Sequence, residues 1–267
     1  MNFVIAFIGE AQPIIDYYGL TKATHRSHPL FQNNRHSLIL SGSGKERSSW
    51  ATEILAKHTG TPNQAWINLG IAGHGNFAKG DPFIAGKIED DQAEESFYPP
   101  RIYYSSLQVS SVRTCTEPSL QYEEGQGCDM ESHAFYKTAI QFSIRELIQV
   151  IKVVSDNPSH PLDQFSPQEA PAMIHQHLPA IDALVRQMDQ ASESLQTDQT
   201  LEQSFIAIRK THSFSVTRSH QLHQLIRHAK ILGLDMGIME ELARSSSHAG
   251  DAIQKISDFL KPHRMLG

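Results

Sequence analysis

Four short segments carry side chains able to do chemistry together: Gly9-Glu10-Ala11, Asn68-Leu69-Gly70-Ile71-Ala72-Gly73, Cys128-Asp129-Met130-Glu131-Ser132 and Val153-Val154-Ser155-Asp156-Asn157-Pro158. Two of their acids follow apolar runs, Glu10 after residues 3–8 and Asp156 after residues 150–154. Two carboxyl groups at strand ends of one α/β sheet suit acid/base chemistry, in which one is protonated while the other is ionised. Taken singly, each segment has a plainer reading. An acid after a strand commonly caps a helix or solvates a loop. Glycine-rich turns serve tight packing, and Met130 can be core filler.

The elements that must position these groups follow from the pattern of apolar residues. A continuous run over 4–8 reads as a strand buried on both faces, with Pro13 in the first turn of a helix towards Tyr18. Further strands are expected over 36–40, 65–71, 82–88, 102–112 and 150–154, and helices over 48–58, 132–142 and 166–188. Strands alternating with helices imply an α/β domain, a three-layer αβα arrangement around a twisted mixed sheet. In such sheets ligands sit beyond the strand ends, where Glu10, Gly70–Gly75 and Asp156 fall. After about residue 193 the character changes. Residues 190–203 are polar and read as a linker or a solvated helix end, followed by helical patterns over 205–210, 217–232 and 236–260. The expected division is an α/β domain over 1–195 and an all-helical extension over 196–267.

Composition narrows the function classes. The chain has 267 residues, 39% of them apolar, enough for a sizeable core. A formal charge of −6 gives no general reason to expect nucleic acid or an anionic membrane as partner. No stretch approaches the roughly 20 apolar residues of a membrane span, so a soluble protein is expected. Cys115 and Cys128 are too few for a disulfide scaffold, and a reducing cytoplasm is the simplest setting. The 15 histidines lack zinc-ligand spacing, so no metal is expected from them, and no cofactor is expected either. Gly42-Ser43-Gly44-Lys45 is not a phosphate loop, because Ile39 stands where its first glycine belongs and Glu46 follows the lysine. The basic stretch between Arg209 and Lys230 reads as a solvated helix face packed through Leu222, Leu225, Ile226 and Ala229.

Together, the four segments resemble the nucleoside phosphorylase/nucleosidase superfamily, and within it the methylthioadenosine/S-adenosylhomocysteine nucleosidases. The matching order runs from residue 3 to about 190. It takes in the first acid, Ser41–Lys45, Asn68–Gly73, Gly80-Asp81, Asp129-Met130-Glu131 and Ser155-Asp156. The Met-Glu and Ser-Asp pairs are its most specific parts, and the helical tail lies outside it. The resemblance implies that Asp156 is the general acid that protonates the leaving purine, and that Glu10 is the base for the attacking water. It implies that Glu131 accepts from the ribose 2′ and 3′ hydroxyls, that Met130 packs on the sugar, and that Gly73 and Ser155 complete the substrate-binding set. It also implies a homodimer acting on a small-molecule nucleoside.

Phosphorylases of the superfamily carry Gly-Asp-Pro-x-Arg after the first strand and a second arginine two residues before the third-strand glycine. Here Gly9-Glu10-Ala11-Gln12-Pro13 has no arginine, and Asn68 takes the second position. A phosphate dianion needs charge-assisted donors, so hydrolysis is expected over phosphorolysis. Lys45 and Arg47 leave phosphate as the alternative, and a non-catalytic nucleoside-sensing protein is a further one. The base-recognition loop of the nearest nucleosidases, with an aromatic and a Gly-Asp pair, is replaced by Cys115-Thr116-Glu117-Pro118-Ser119. Glu117 can face a different base there, and Tyr122 is either a stacking partner or a surface tyrosine.

Overall fold

A computed structural model describes residues 1–24 and 28–262, the side chains of 197 and 198 excepted. The last five residues of the expected extension, 263–267, lie outside the described residues. The chain divides into two compact units, Met1–Glu193 and Ser194–Gly267.

The first unit is a mixed sheet of β1 (Asn2–Ile5), β2 (Thr21–Ala23), β3 (Leu30–Gln32), β4 (Ser37–Leu40), β5 (Trp66–His74), β6 (Pro82–Asp90), β7 (Gln108–Thr114), β8 (Gln126–Asp129) and β9 (Ile148–Asp156). Their order is β2-β3-β4-β1-β5-β8-β7-β6-β9, and β9 pairs back onto β5, so the last five strands close on themselves. Strand β1 lies parallel to β4 and β5, and β5 parallel to β9. Helices α1 (Ile8–Tyr18), α2 (Lys45–Thr59), α3 (Ser132–Ala139) and α4 (Ala170–His175) pack on the sheet, α2 against α3 and α1 against α4. Val4, Ile39, Leu55, Trp66, Phe83, Phe135 and Val150 share one core cluster. Every residue of β9 is buried, which explains its near-continuous apolar run.

The long helix α5 (Leu178–Arg209) carries the chain through the boundary between the units. In the second unit α6 (Val216–Ile231), α7 (Met236–Arg244) and α8 (Ala249–Leu260) bury Leu222, Ile226, Met239, Ile256 and Leu260 together with Ile208. Ser215 and Asp235 cap α6 and α7 through their side chains.

Several sequence expectations change. Strand β1 ends at Ile5, and Glu10 lies in the first turn of α1. Phe7 is the extended N-cap there, and the Glu10 carboxylate accepts from its N–H at 3.3 Å. Pro13 accordingly sits inside α1 instead of in its first turn. Gly70 and Gly73 are strand residues of β5, with a bulge between Ala72 and Gly73, and not a turn after it. Residues 102–107 are not strand. The helix expected over 166–188 is broken into α4 and α5, and the polar residues 190–203 continue α5 in place of a linker. Strands β2, β3 and β8 carry too few apolar residues to be read from sequence.

Candidate active site

Strands β5 and β9 form the floor of the site. In their register Gly70 faces Lys152 and Gly73 faces Asp156. Positions three apart on a strand are about 10 Å apart. Two groups of polar side chains therefore line one strand pair at neighbouring stations.

At the first station Glu10 from α1 and Lys152 from β9 meet over Gly70. A Cβ at that glycine would lie 3.4 Å from Glu10 Oε2 and 3.5 Å from Lys152 Nζ. Lys152 is 2% exposed, and its ammonium sits 2.7 Å from Asp129 Oδ2. Asp129 also accepts from the Ser132 N–H at 2.9 Å and from Thr114 Oγ1 at 2.9 Å. Glu131, the N-cap residue of α3, accepts from the Gly44 N–H at 2.8 Å. Ser43 Oγ donates to Met130 Sδ at 3.4 Å, which brings the Met-Glu pair against the Gly42–Gly44 turn.

This station holds three buried carboxyl groups and one ammonium. Burial pushes Glu10 up to about 7, with the charge of Glu131 adding to it and Lys152 and the Phe7 and Ile71 N–H groups opposing it. Burial also raises Glu131, helped by Asp129 and opposed by Lys152 and the Gly44 N–H. For Lys152 burial alone would favour the neutral amine, but Asp129, Glu131 and Glu10 reverse that and raise it above its ordinary value. The ammonium is therefore the fixed charge, and Glu10 is the group poised to exchange a proton near neutrality.

At the second station Asp156 ends β9, 2% exposed. The neighbouring Ser155 Oγ donates to its Oδ1, and Tyr122 Oη donates to its Oδ2 at 2.8 Å. Gly73 makes room for this contact, since a Cβ there would lie 2.8 Å from Asp156 Oδ2 and 3.3 Å from Tyr122 Cε1. Gly73 and Tyr122, together with Gln126 and Cys128, also line a cleft.

The structure thus brings Glu10, Met130 and Glu131 to one station and Gly73, Ser155 and Asp156 to the next. Sequence reading missed Lys152. Its one signal was a lone cation in an otherwise apolar run. Glu117 is exposed. Tyr122 is neither a stacking platform in the open nor a surface residue, being half-buried and bonded to Asp156. The two cysteines, expected in a reducing setting, are paired with each other, Cα to Cα 6.4 Å, at the ends of β7 and β8. No described helix is long and apolar enough to cross a membrane, and no metal-holding cluster occurs among the described residues.

No protein-family model matches the chain, and no curated protein sequence matches it. Solved structures do. A 5′-methylthioadenosine/S-adenosyl homocysteine nucleosidase (MTAN) from Campylobacter jejuni superposes with a TM-score of 0.54 at 17% identity, over 70% of this chain and 96% of that one. An MTAN from Chlamydia trachomatis bound to MTA gives 0.55 at 15% identity, over 68% and 97%. A futalosine hydrolase mutant from Helicobacter pylori gives 0.54 at 14% identity, over 70% and 98%. The class is a mixed α/β protein with a C-terminal helical region. Its α/β fold is the one these nucleosidases and the futalosine hydrolase share.

Proposed function

We propose that the chain hydrolyses the N-glycosidic bond of a purine-type nucleoside, methylthioadenosine- or adenosylhomocysteine-like, to base and free sugar. The observation that carries this reading is the arrangement along β5. A carboxyl poised near neutrality lies at Gly70, and a second one lies at Gly73, roughly 10 Å further along the strand. Asp156 donates a proton to the leaving base, so that it departs neutral. Glu10, ionised, takes a proton from the water that attacks the anomeric carbon. Carboxylates also stabilise the oxocarbenium-like centre that forms between these events. Glu131 accepts from the two ribose hydroxyls in place of the Gly44 N–H, Met130 packs on the sugar, and Ser155 orients Asp156. Gly73 leaves the room in which Tyr122 meets Asp156. Lys152 holds the negative charge of Asp129 and Glu131 in balance while Glu10 ionises.

Water is favoured over phosphate as nucleophile by where the cations go. The Lys45 ammonium is taken by Asp90, at 2.9 Å, and by Asp91. The Asn68 amide donates to the Val4 carbonyl at 3.0 Å. The Arg47 side chain, which lies against Gly42, is the one reason to test phosphate at all. Within the same reading the chain is a cytoplasmic homodimer, and light scattering on the purified protein reads its oligomeric state.

The experiment is base release from a panel of nucleosides by the full chain, with Glu10→Gln and Asp156→Asn as controls. Release by the wild type and a loss of about a hundredfold or more in either variant support the reading. Unchanged turnover in Asp156→Asn removes the acid assignment, and no release from any nucleoside removes the activity.

A further inference from the structure

Tyr122 has no assigned task, and its hydrogen bonds are directional. The Leu162 N–H donates to Tyr122 Oη at 3.0 Å. A backbone N–H can only donate, so the phenol accepts there and its single hydrogen is free for Asp156 Oδ2, at 2.8 Å. The hydroxyl therefore ties three segments together: the loop between β7 and β8, the end of β9 and the turn that begins at Leu162. Ser155 holds the other oxygen of the same carboxyl. With both oxygens engaged, rotation about the Asp156 side chain is blocked, and Gly73 supplies the space in which this lock forms.

We propose that Tyr122 is a positioning residue for Asp156: its hydroxyl, oriented by Leu162, fixes Oδ2 of that carboxyl. The role rests on the nucleosidase reading for its chemistry but not for its geometry. A hydrogen bond to one carboxyl oxygen restrains the group's orientation whether or not it carries a proton. A proton donor held in one orientation meets the leaving group without the entropy cost of being ordered during the reaction. Burial and the hydrogen bond to Asp156 push the Tyr122 phenol up to about 12, so it stays a donor throughout the neutral range. Asp163 adds a smaller push in the same direction. Ring packing is a separate contribution, which the phenylalanine variant retains.

The test uses the full chain and two readouts. In steady-state kinetics Tyr122→Phe is expected to lower kcat about tenfold with KM within about twofold of wild type, the loss of one hydrogen bond. Tyr122→Leu should lose no less. A Tyr122→Phe variant with wild-type kcat beside a damaged Tyr122→Leu variant would make the ring, not the hydroxyl, the working part, and overturns the proposal. A lower KM at unchanged kcat would make Tyr122 an obstacle to substrate, and overturns it too. The second readout needs no activity. The 13C signal of the Tyr122 ring carbon bearing oxygen, identified by its absence in Tyr122→Phe, should stay protonated to about pH 11 in the wild type and titrate below that in Asp156→Asn. An unchanged titration there refutes the link between the two residues even if nucleoside hydrolysis is sound. A failure of hydrolysis with a shifted titration refutes the nucleosidase reading alone.

Discussion

Lys152 Nζ lies 2.7 Å from Asp129 Oδ2, with the two side chains 2% and 1% exposed. This buried ion pair sits on strand neighbours of the glycine that Glu10 covers. It sets the electrostatics of the first station, because one cation there answers three carboxyl groups.

Removing that cation should be costly. In Lys152→Met the charge of Asp129 is left buried without its partner, for which about 3–5 kcal/mol of destabilisation is expected. The double variant Lys152→Met/Asp129→Asn, which removes both charges, should recover at least half of the loss. Urea unfolding midpoints of the three proteins decide it. A single variant within about 1 kcal/mol of wild type would show that the pair is not as closed as described.

Glu10 ties activity and stability to the same titration. If it must be ionised to accept a proton, kcat/KM should rise with pH and reach half its plateau near 7, the value to which burial raises it. Stability should move the opposite way. The folded value lies above the ordinary 4.5, so the native state keeps a proton that the unfolded chain releases. The contribution is full below about 4.5 and is lost as pH rises to about 7, a loss of roughly 3 kcal/mol at most. Glu10→Gln should therefore be inactive yet flatter in its stability across this window. An acid limb near pH 5 in the wild type would contradict the environment described for Glu10.

Gly73→Ala should separate activity from folding. Its Cβ would lie 2.8 Å from Asp156 Oδ2, closer than atoms of this kind pack, so the carboxyl or Tyr122 must shift. A displacement of about 1 Å at a reacting group costs on the order of a hundredfold. We expect at least a tenfold fall in kcat/KM with little change in the thermal midpoint. Wild-type kinetics would mean that Asp156 and Tyr122 have freedom that their hydrogen bonds do not suggest.

Phosphate should be a bystander. Base release is expected at equal rate with and without inorganic phosphate, giving the free sugar as product. Lys45→Ala should alter kcat/KM by no more than about threefold, because its ammonium serves Asp90 and Asp91. Sugar 1-phosphate among the products would turn the reading towards phosphorolysis and towards Arg47.

Much of this was legible in the chain. The buried strand before Ser155-Asp156 and the Met130-Glu131 pair before a helix follow from apolar runs and from residue types with a narrow range of uses. These are local properties, and local properties survive in a sequence. Glu10 was legible as an acid but not as a helix N-terminal residue, because an apolar run does not mark where a strand yields to a buried helix.

Lys152 and Tyr122 were decided by tertiary structure alone. A lysine inside a strand can be stable in the interior only if carboxylates from other segments reach it, and Asp129, Glu131 and Glu10 lie 23, 21 and 142 positions away in the chain. The partner of Tyr122 lies 34 positions downstream and needs the bare backbone of Gly73 beside it. Sequence determined which groups were available. The closing of β9 onto β5 determined which of them share one low-dielectric space, where charge and hydrogen bonding act strongly enough to matter.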